Sequence, residues 1–374
     1  MLKSIHLTLM IGPAVPVPAP LSVMDAVSSV QVTSSNDRSG FQLTFTVGKK
    51  SPLLTTMLPA GYFDPITTRV VIIVTVGGIP NVLMDGLVTR QELTPSNDPG
   101  QSTLTITGED LSLAMDLVEM PVPYPGMPTL ARVYTILAKY AALGIAPVAI
   151  PPFIQTVEVP ISRTETQVAT DRAYLQDLAR QGGYVFYVEP GPVPLTSIAY
   201  FGPDIRVPIP QPALNVNMDA HTNVESLSFS LDGKAKKLTI LTILDPITHK
   251  IPIPIPIPNL SLFKPPLGAR LTPPARIELK DDFAKYTPDK VAEKVLGMLL
   301  NNTEAITANG VLDVLRYGRV LRSRMLVGVR GAGLAYDGMY YVNSVTHNLK
   351  RGEYKQNFSL SRDGLISQTP VVVP

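Results

Sequence analysis

No cysteine occurs among the 374 residues, so neither disulfides nor thiolate metal sites can hold this fold, and thiol catalysis is excluded. Charge is scarce as well: 17% of residues are charged against 45% hydrophobic. Much of the surface must then be uncharged, which fits an assembly whose partners cover it better than it fits a soluble monomer. The net charge of +2, from 32 basic and 30 acidic residues, gives no global field for nucleic acid or an acidic membrane. No apolar run reaches the length of about eighteen residues that a membrane span needs. The start, MLKSIHLTLMIG, superficially suggests a signal peptide, with Lys3 before an apolar stretch. His6 and Thr8 interrupt it, however, and Pro13, Pro16, Pro18 and Pro20 stand where a small-residue cleavage site should be. An edge strand followed by an extended arm is the better reading.

Signatures of chemistry are also missing. The four histidines, His6, His221, His249 and His347, are isolated, without the paired His and Glu of a zinc peptidase, and no Asp-x-Asp calcium loop appears. Gly328, Gly331 and Gly333 do not space as a dinucleotide loop. Gly48 to Ser51 fails as a phosphate loop because Leu43 stands where a glycine is required. There is no G-x-S-x-G elbow. Acid pairs occur at Glu109 with Asp110 and at Asp281 with Asp282, but sequence neighbours do not make the cross-cleft pair of a glycosidase. The simpler role for Glu109 and Asp110 is a helix N-terminus before Leu111 to Leu117, where acids meet free amides. His347 reads as a structural or surface imidazole on a strand. No catalytic, cofactor-binding or metal-ligating residue is assigned.

What is present is proline, 37 residues of it, in two clusters. Pro13 to Pro20 alternates proline with Ala and Val, and Ile251 to Pro258 is four Ile-Pro repeats. Proline fixes φ and deletes the amide donor, so each cluster is expected as a stiff polyproline-like or edge segment, never a central strand. The second reads equally as a strap on a neighbouring domain or subunit and as a semi-rigid linker.

Elsewhere the periodicity is mostly two. Phe41, Leu43, Phe45 and Val47 alternate with polar residues, Val70 to Val76 is a central strand turning at Gly77 and Gly78 into Val82 to Thr89, and Thr103 to Thr107 completes a first small barrel or sandwich. A helical insertion follows. Pro128 opens a helix with Leu130, Val133, Tyr134, Leu137 and Ala141 on one face and Gly144 as its stop; Thr170 caps another, bearing Tyr174, Leu175 and Leu178 and ending at Gly182 and Gly183. From His221 a second β-region begins, with Val224 to Leu231 and Lys237 to Leu244 expected as a pair around Asp232 and Gly233. A third helix is expected from the Thr287 cap, with Val291, Val295, Met298 and Leu299 on one stripe. Arg316, Arg319, Arg322, Arg324 and Arg330 form the densest basic run. On a strand from Val320 to Val329, Arg322, Arg324 and Arg330 would share a face, either solvated or turned to a channel or neighbouring subunit.

The last block, GMYYVNSVTHNLKRGEYKQNFSLSRDG from Gly338 to Gly364, reads as a two-strand hairpin around Lys350, Arg351 and Gly352. It is preceded by RYGRVLRSRMLVGVRGAG from Arg316 to Gly333, with a strand centred on Met325 to Val329. These blocks resemble the closing β-domain of the phage late control D and tail-hub proteins, relatives of the hub part of type VI secretion spikes and of extracellular contractile injection systems. The resemblance continues at Gly108 to Ser112, at TDRAYLQDLARQGGYVFYVEPG from Thr170 to Gly191 and at Ile198 to Gly202, so similar blocks in the expected order span Phe41 to Gly364.

The resemblance implies a mainly β fold with an α+β insertion: two tube-like antiparallel β-barrel domains plus a mixed α/β domain. The expected divisions are a Pro-rich arm (1–20), a first barrel (21–118), the insertion (119–205), a second barrel (206–364) interrupted by the Ile-Pro strap (251–258) and a helix (287–302), and a tail (365–374). It further implies a structural, non-enzymatic baseplate hub: a homotrimer adapting the sixfold inner tube above to a threefold spike below, among surrounding baseplate proteins. The chain stops where spike-fused relatives continue, so the spike is expected as a separate protein. Assembly is expected in the bacterial cytoplasm, with release as part of the particle. A contractile phage tail hub, a secreted carbohydrate-binding β-protein and a glycan- or peptide-cleaving baseplate enzyme are the competing readings.

Overall fold

The computed structural model describes residues 5–13, 15–36, 38–153, 165–206, 210–244, 252–257, 264–280, 288–300 and 304–368. Its first half is six long strands, β1 (Ile5–Pro13), β2 (Val27–Ser35), β3 (Gly40–Val47), β4 (Thr68–Val76), β5 (Ile79–Thr94) and β6 (Ser102–Asp110), with a two-residue strand, Val17–Pro18, beside β1. In β3 the alternation works as the sequence requires, with Phe41, Leu43, Phe45 and Val47 all buried. Each such side chain contributes about 1.5–3 kcal/mol on leaving water. Along β4 both faces are buried: Val70, Ile72, Val74 and Val76 face the large core, while Val71 and Ile73 pack with Val82, Met10 and Leu195 on the other side. Gly77 and Gly78 turn β4 into β5 with φ of +57° and +86°, the left-handed pair that a tight hairpin needs.

The insertion holds two helices, α1 (Thr129–Ala138) and α2 (Asp171–Gln181), a three-stranded sheet of β7 (Ile145–Ala149), β8 (Val185–Pro190) and β9 (Ser197–Gly202), and a pair of three-residue strands, Val122–Tyr124 with Glu165–Gln167. Thr170 caps α2 as expected, its hydroxyl accepting the Ala173 amide at 3.2 Å, and Tyr174, Leu175 and Leu178 are buried. On α1 the buried stripe is Val133, Ile136 and Leu137, whereas Tyr134 and Ala141, expected on that face, are exposed. The helix ends at Ala138 and Gly144 stops a separate short turn instead, so Ala141 never joins the helical period.

The second half contains β10 (Gln211–Asn215), β11 (Val224–Leu231), β12 (Lys237–Leu244), β13 (Pro252–Ile257), β14 (Arg276–Lys280), helix α3 (Pro288–Leu300), β15 (Ile306–Asp313), β16 (Leu326–Arg330), β17 (Gly338–Lys350) and β18 (Glu353–Arg362). The β17–β18 hairpin turns at Arg351 and Gly352, and a bulge between Val342 and Ser344 resets its alternation. Before it, Tyr340 and Val342 face the large core while Tyr341 is covered on the opposite face by Asp204 and Arg206, so three residues are buried in succession.

Thirteen strands make one sheet, running β11-β15-β18-β17-β2-β3-β6-β5-β4-β1 and ending on the two-residue strand Val17–Pro18, with β16 branching from β17 and β10 pairing with β16. The joint is β17 against β2, from Ser344 opposite Ser35 to Lys350 opposite Ser29. Two tube-like antiparallel halves are thereby fused edge to edge around one large apolar core, with the α/β insertion on a second core.

Two expectations fail here. β11 does not pair with β12; it pairs with β15, while β12 lies between β13 and β14 in a separate sheet. A two-residue hairpin needs left-handed φ at its turn, and Gly233 is not in that region. Second, β16 starts only at Leu326, so Arg322 and Arg324 are not on a strand and do not share a face with Arg330. Arg324 sits at φ +61°, outside any strand conformation.

Both proline clusters lie at sheet edges. Val17–Pro18 caps part of β1, and β13, the described part of the Ile-Pro run, is the edge strand beside β12. Its prolines can occupy only positions facing away from β12, where no amide is called on. Ile255 and Ile257 pack instead with Leu241 against Val291, Val295, Met298 and Leu299 of α3. The cover for the isoleucines is thus the chain's own third helix, on the stripe that its periodicity indicated.

Candidate functional site

Three parts of the chain meet at Arg324. Its guanidinium lies 4.0 Å from the centre of the Tyr187 ring, reaches Glu189 Oε2 at 3.5 Å and donates to the Ser35 carbonyl oxygen. One side chain thus ties β2 of the first half and β8 of the insertion to the segment before β16. The left-handed backbone at Arg324 aims it there, because an extended residue would point it along the strand face. Burial pushes the Glu189 carboxyl above its usual range, against the pull of Arg324 and Arg322. Arg322 is exposed and bonds Asn81 at 3.1 Å.

A second junction lies behind it. Asp204 accepts from Lys264 at 2.9 Å, from Arg206 at 3.3 Å and from the Tyr341 hydroxyl at 3.1 Å. Arg206 also binds Glu304 and stacks 4.1 Å from the Tyr341 ring centre. Burial opposes charge on Asp204, but Lys264 and Arg206 outweigh it and hold the carboxyl below its usual range. The four charges balance, as a desolvated cluster must.

His347 is buried, and Gln356 Nε2 donates to its Nδ1 at 3.1 Å. The Tyr354 hydroxyl shares a 2.7 Å hydrogen bond with the same Nδ1. Gln356 also clamps the Leu321 backbone, accepting its amide at 3.0 Å and donating to its carbonyl at 2.8 Å. The imidazole is a structural member of the core, with its pKa pressed down to about 3 by burial and by Arg322.

The remaining sequence candidates do not converge. Asp110 caps a short 3-10 turn, Leu111–Asp116, by accepting the Ser112 amide at 2.8 Å. Glu109 stays on β6 and pairs with Arg172 at 3.3 Å. His6 lies on β1 and His221 in an exposed turn, while His249, Asp281 and Asp282 fall outside the described residues. Gly331 and Gly333 are turn glycines at φ +88° and +90°, and a Cβ on Gly331 would meet the Val216 carbonyl oxygen at 1.8 Å. Among the described residues no group of three or more His, Asp or Glu side chains could hold a metal ion, and no helix is long and apolar enough to cross a membrane. Sequence reasoning singled out Arg324 but gave it a surface role. It missed the Asp204 cluster, whose members are 137 residues apart for Asp204 and Tyr341.

No protein-family profile matches the chain, and no curated protein matches it in sequence. Its fold is nevertheless shared by solved structures. The tail protein of Neisseria meningitidis matches with a TM-score of 0.59 at 14% identity, over 97% of this chain and 98% of that one. The 43 kDa tail protein of prophage MuSo2 from Shewanella oneidensis gives 0.59 at 14%, over 97% and 100%. An E. coli component of the type VI secretion system, itself structurally similar to T4 bacteriophage tail proteins, gives 0.52 at 10%, over 93% and 77%. The chain therefore has the phage tail-hub fold that its closing blocks resemble.

Proposed function

We propose that the chain is the baseplate hub of a phage-tail-like contractile injection system, a homotrimeric ring joining a sixfold inner tube above to a threefold spike below. The observation that carries the reading is the single sheet in which two tube-like halves are fused through β17 and β2. Three copies of a chain with two such halves present six, and that number is what a symmetry adapter must supply. Closing the ring also buries edges that would otherwise recruit further strands.

The polar features support a structural rather than a catalytic role. Arg324 and the Asp204 cluster each join segments from different parts of the chain, which suits a body that must transmit load without shearing. The spike is a separate protein on the lower face, other baseplate proteins surround the ring, and the particle is assembled inside the producing cell. A contractile phage tail would use the same ring in the same place.

The test is a tagged chain expressed in the producing bacterium, followed by particle purification and electron cryo-microscopy. Three copies between tube and spike are expected. A chain that never copurifies with a particle, or that lies elsewhere in it, contradicts the reading.

A further inference from the structure

The two halves of the large sheet follow one plan. In chain order the strands of the first are β1 to β6, lying in the sheet as β1-β4-β5-β6-β3-β2; those of the second are β10, β11, β15, β16, β17 and β18, lying as β10-β16-β17-β18-β15-β11. The first strand differs in direction, β1 running antiparallel to β4 and β10 parallel to β16. The bulges coincide. β5 bulges against β6 between Val88 and Arg90, as β17 does against β18 between Val342 and Ser344. β2 bulges against β3 between Val27 and Ser29, as β11 does against β15 between Val224 and Ser226. Arg90 is thus the counterpart of Ser344, and Ser226 that of Ser29.

The joint within the chain uses one edge from each half. β17 pairs with β16 only as far as Tyr341, and its continuation, residues 344–350, takes β2. β5 likewise pairs with β4 only as far as Leu87. No described strand lies on that side of its continuation, residues 89–94, and none lies on the outer edge of β11. We infer that these two edges pair between copies, β5 of one chain antiparallel to β11 of the next, in the register of β17 and β2. That register sets Arg90 opposite Asp232, joining opposite charges, and Leu93 opposite Phe229. Leu93 is 45% exposed and Phe229 only partly buried. Their counterparts, His347 and Val32, face each other within the chain and are 4% and 0% exposed. The bare positions are those that the same joint covers elsewhere. Three copies then repeat one joint six times, three within chains and three between them, and leave neither of these edges open.

This pairing rests on the reading that copies assemble, and one experiment separates the two. The chain has no cysteine, so engineered thiols report only on each other. In the inferred register Thr94 stands opposite Ser228, on the face that carries Arg90, within reach of a disulfide across the strands. The full-length chain carrying Thr94→Cys and Ser228→Cys is assembled and oxidised, with the oligomeric mass recorded alongside. The expected result is a covalent species of three times the 40.4 kDa chain mass. No link is expected when Leu227→Cys, one step away and on the opposite face, replaces Ser228→Cys. Assembly of normal mass without the covalent species, or with the slipped pair linking equally, overturns the pairing alone. Absence of any assembly overturns both this inference and the hub.

Discussion

Arg324 covers the Tyr187 ring at 4.0 Å while its own backbone sits at φ +61°, so a strained residue holds the contact between the insertion and the two fused halves. Removing the side chain loses a cation–π contact and leaves the half-exposed Glu189 without its partner. Arg324→Ala should lower stability by about 1–2 kcal/mol. Arg324→Gly removes the same side chain yet relaxes the left-handed backbone, and should be more stable than the alanine variant by about 1 kcal/mol. Urea denaturation midpoints check the order; glycine falling below alanine would refute the strain argument.

Arg69 and Asp85 form a buried fork between β4 and β5, with two hydrogen bonds of 2.7 Å. Breaking it from one side strands a charge. Asp85→Ala should cost about 3–5 kcal/mol, whereas Arg69→Met with Asp85→Leu should recover most of that loss. Thermal unfolding of the single and double variants measures both.

His347 gives the fold an acid sensitivity. Its pKa falls from 6.5 to about 3 through burial and the charge of Arg322. The unfolded chain therefore binds a proton that the folded chain refuses between those values. Stability is full above about pH 6.5 and declines as pH falls toward 3, at up to about 1.4 kcal/mol per pH unit. His347→Gln should flatten that slope between pH 6 and 4 by close to one proton. Unchanged slopes in paired denaturation series would remove His347 as the cause.

Gly297 tests how α3 docks. Alanine normally improves a helix interior by about 1 kcal/mol, but a Cβ here would stand 2.9 Å from the Gln181 carbonyl oxygen and 3.0 Å from the Gly183 nitrogen. Both are backbone atoms with little room to yield, so Gly297→Ala should destabilise by about 1–3 kcal/mol. A gain in melting temperature would show that the α2–α3 contact is looser than this geometry.

Local periodicity made much of this fold legible. The alternation in β3, the Gly77–Gly78 turn, the Thr170 cap and the apolar stripe of α3 are each decided by residues within a turn or two of one another. What stayed hidden depends on distant partners. β11 leaves β12 for β15 because the pairing is chosen by the sheet, and Arg324 leaves the strand face because its backbone turns left-handed just before β16. The Asp204 cluster has no local signature at all, since its charges are unremarkable until the fold brings Arg206 and Lys264 to the Asp204 carboxylate and Glu304 to Arg206.

The most direct measurement is the solution mass of the purified chain across concentration, by sedimentation velocity. A closed hub predicts a discrete species of three times the 40.4 kDa chain mass, with no larger series above it. A species of one chain mass that persists at micromolar concentration, or an open ladder of growing oligomers, would contradict it.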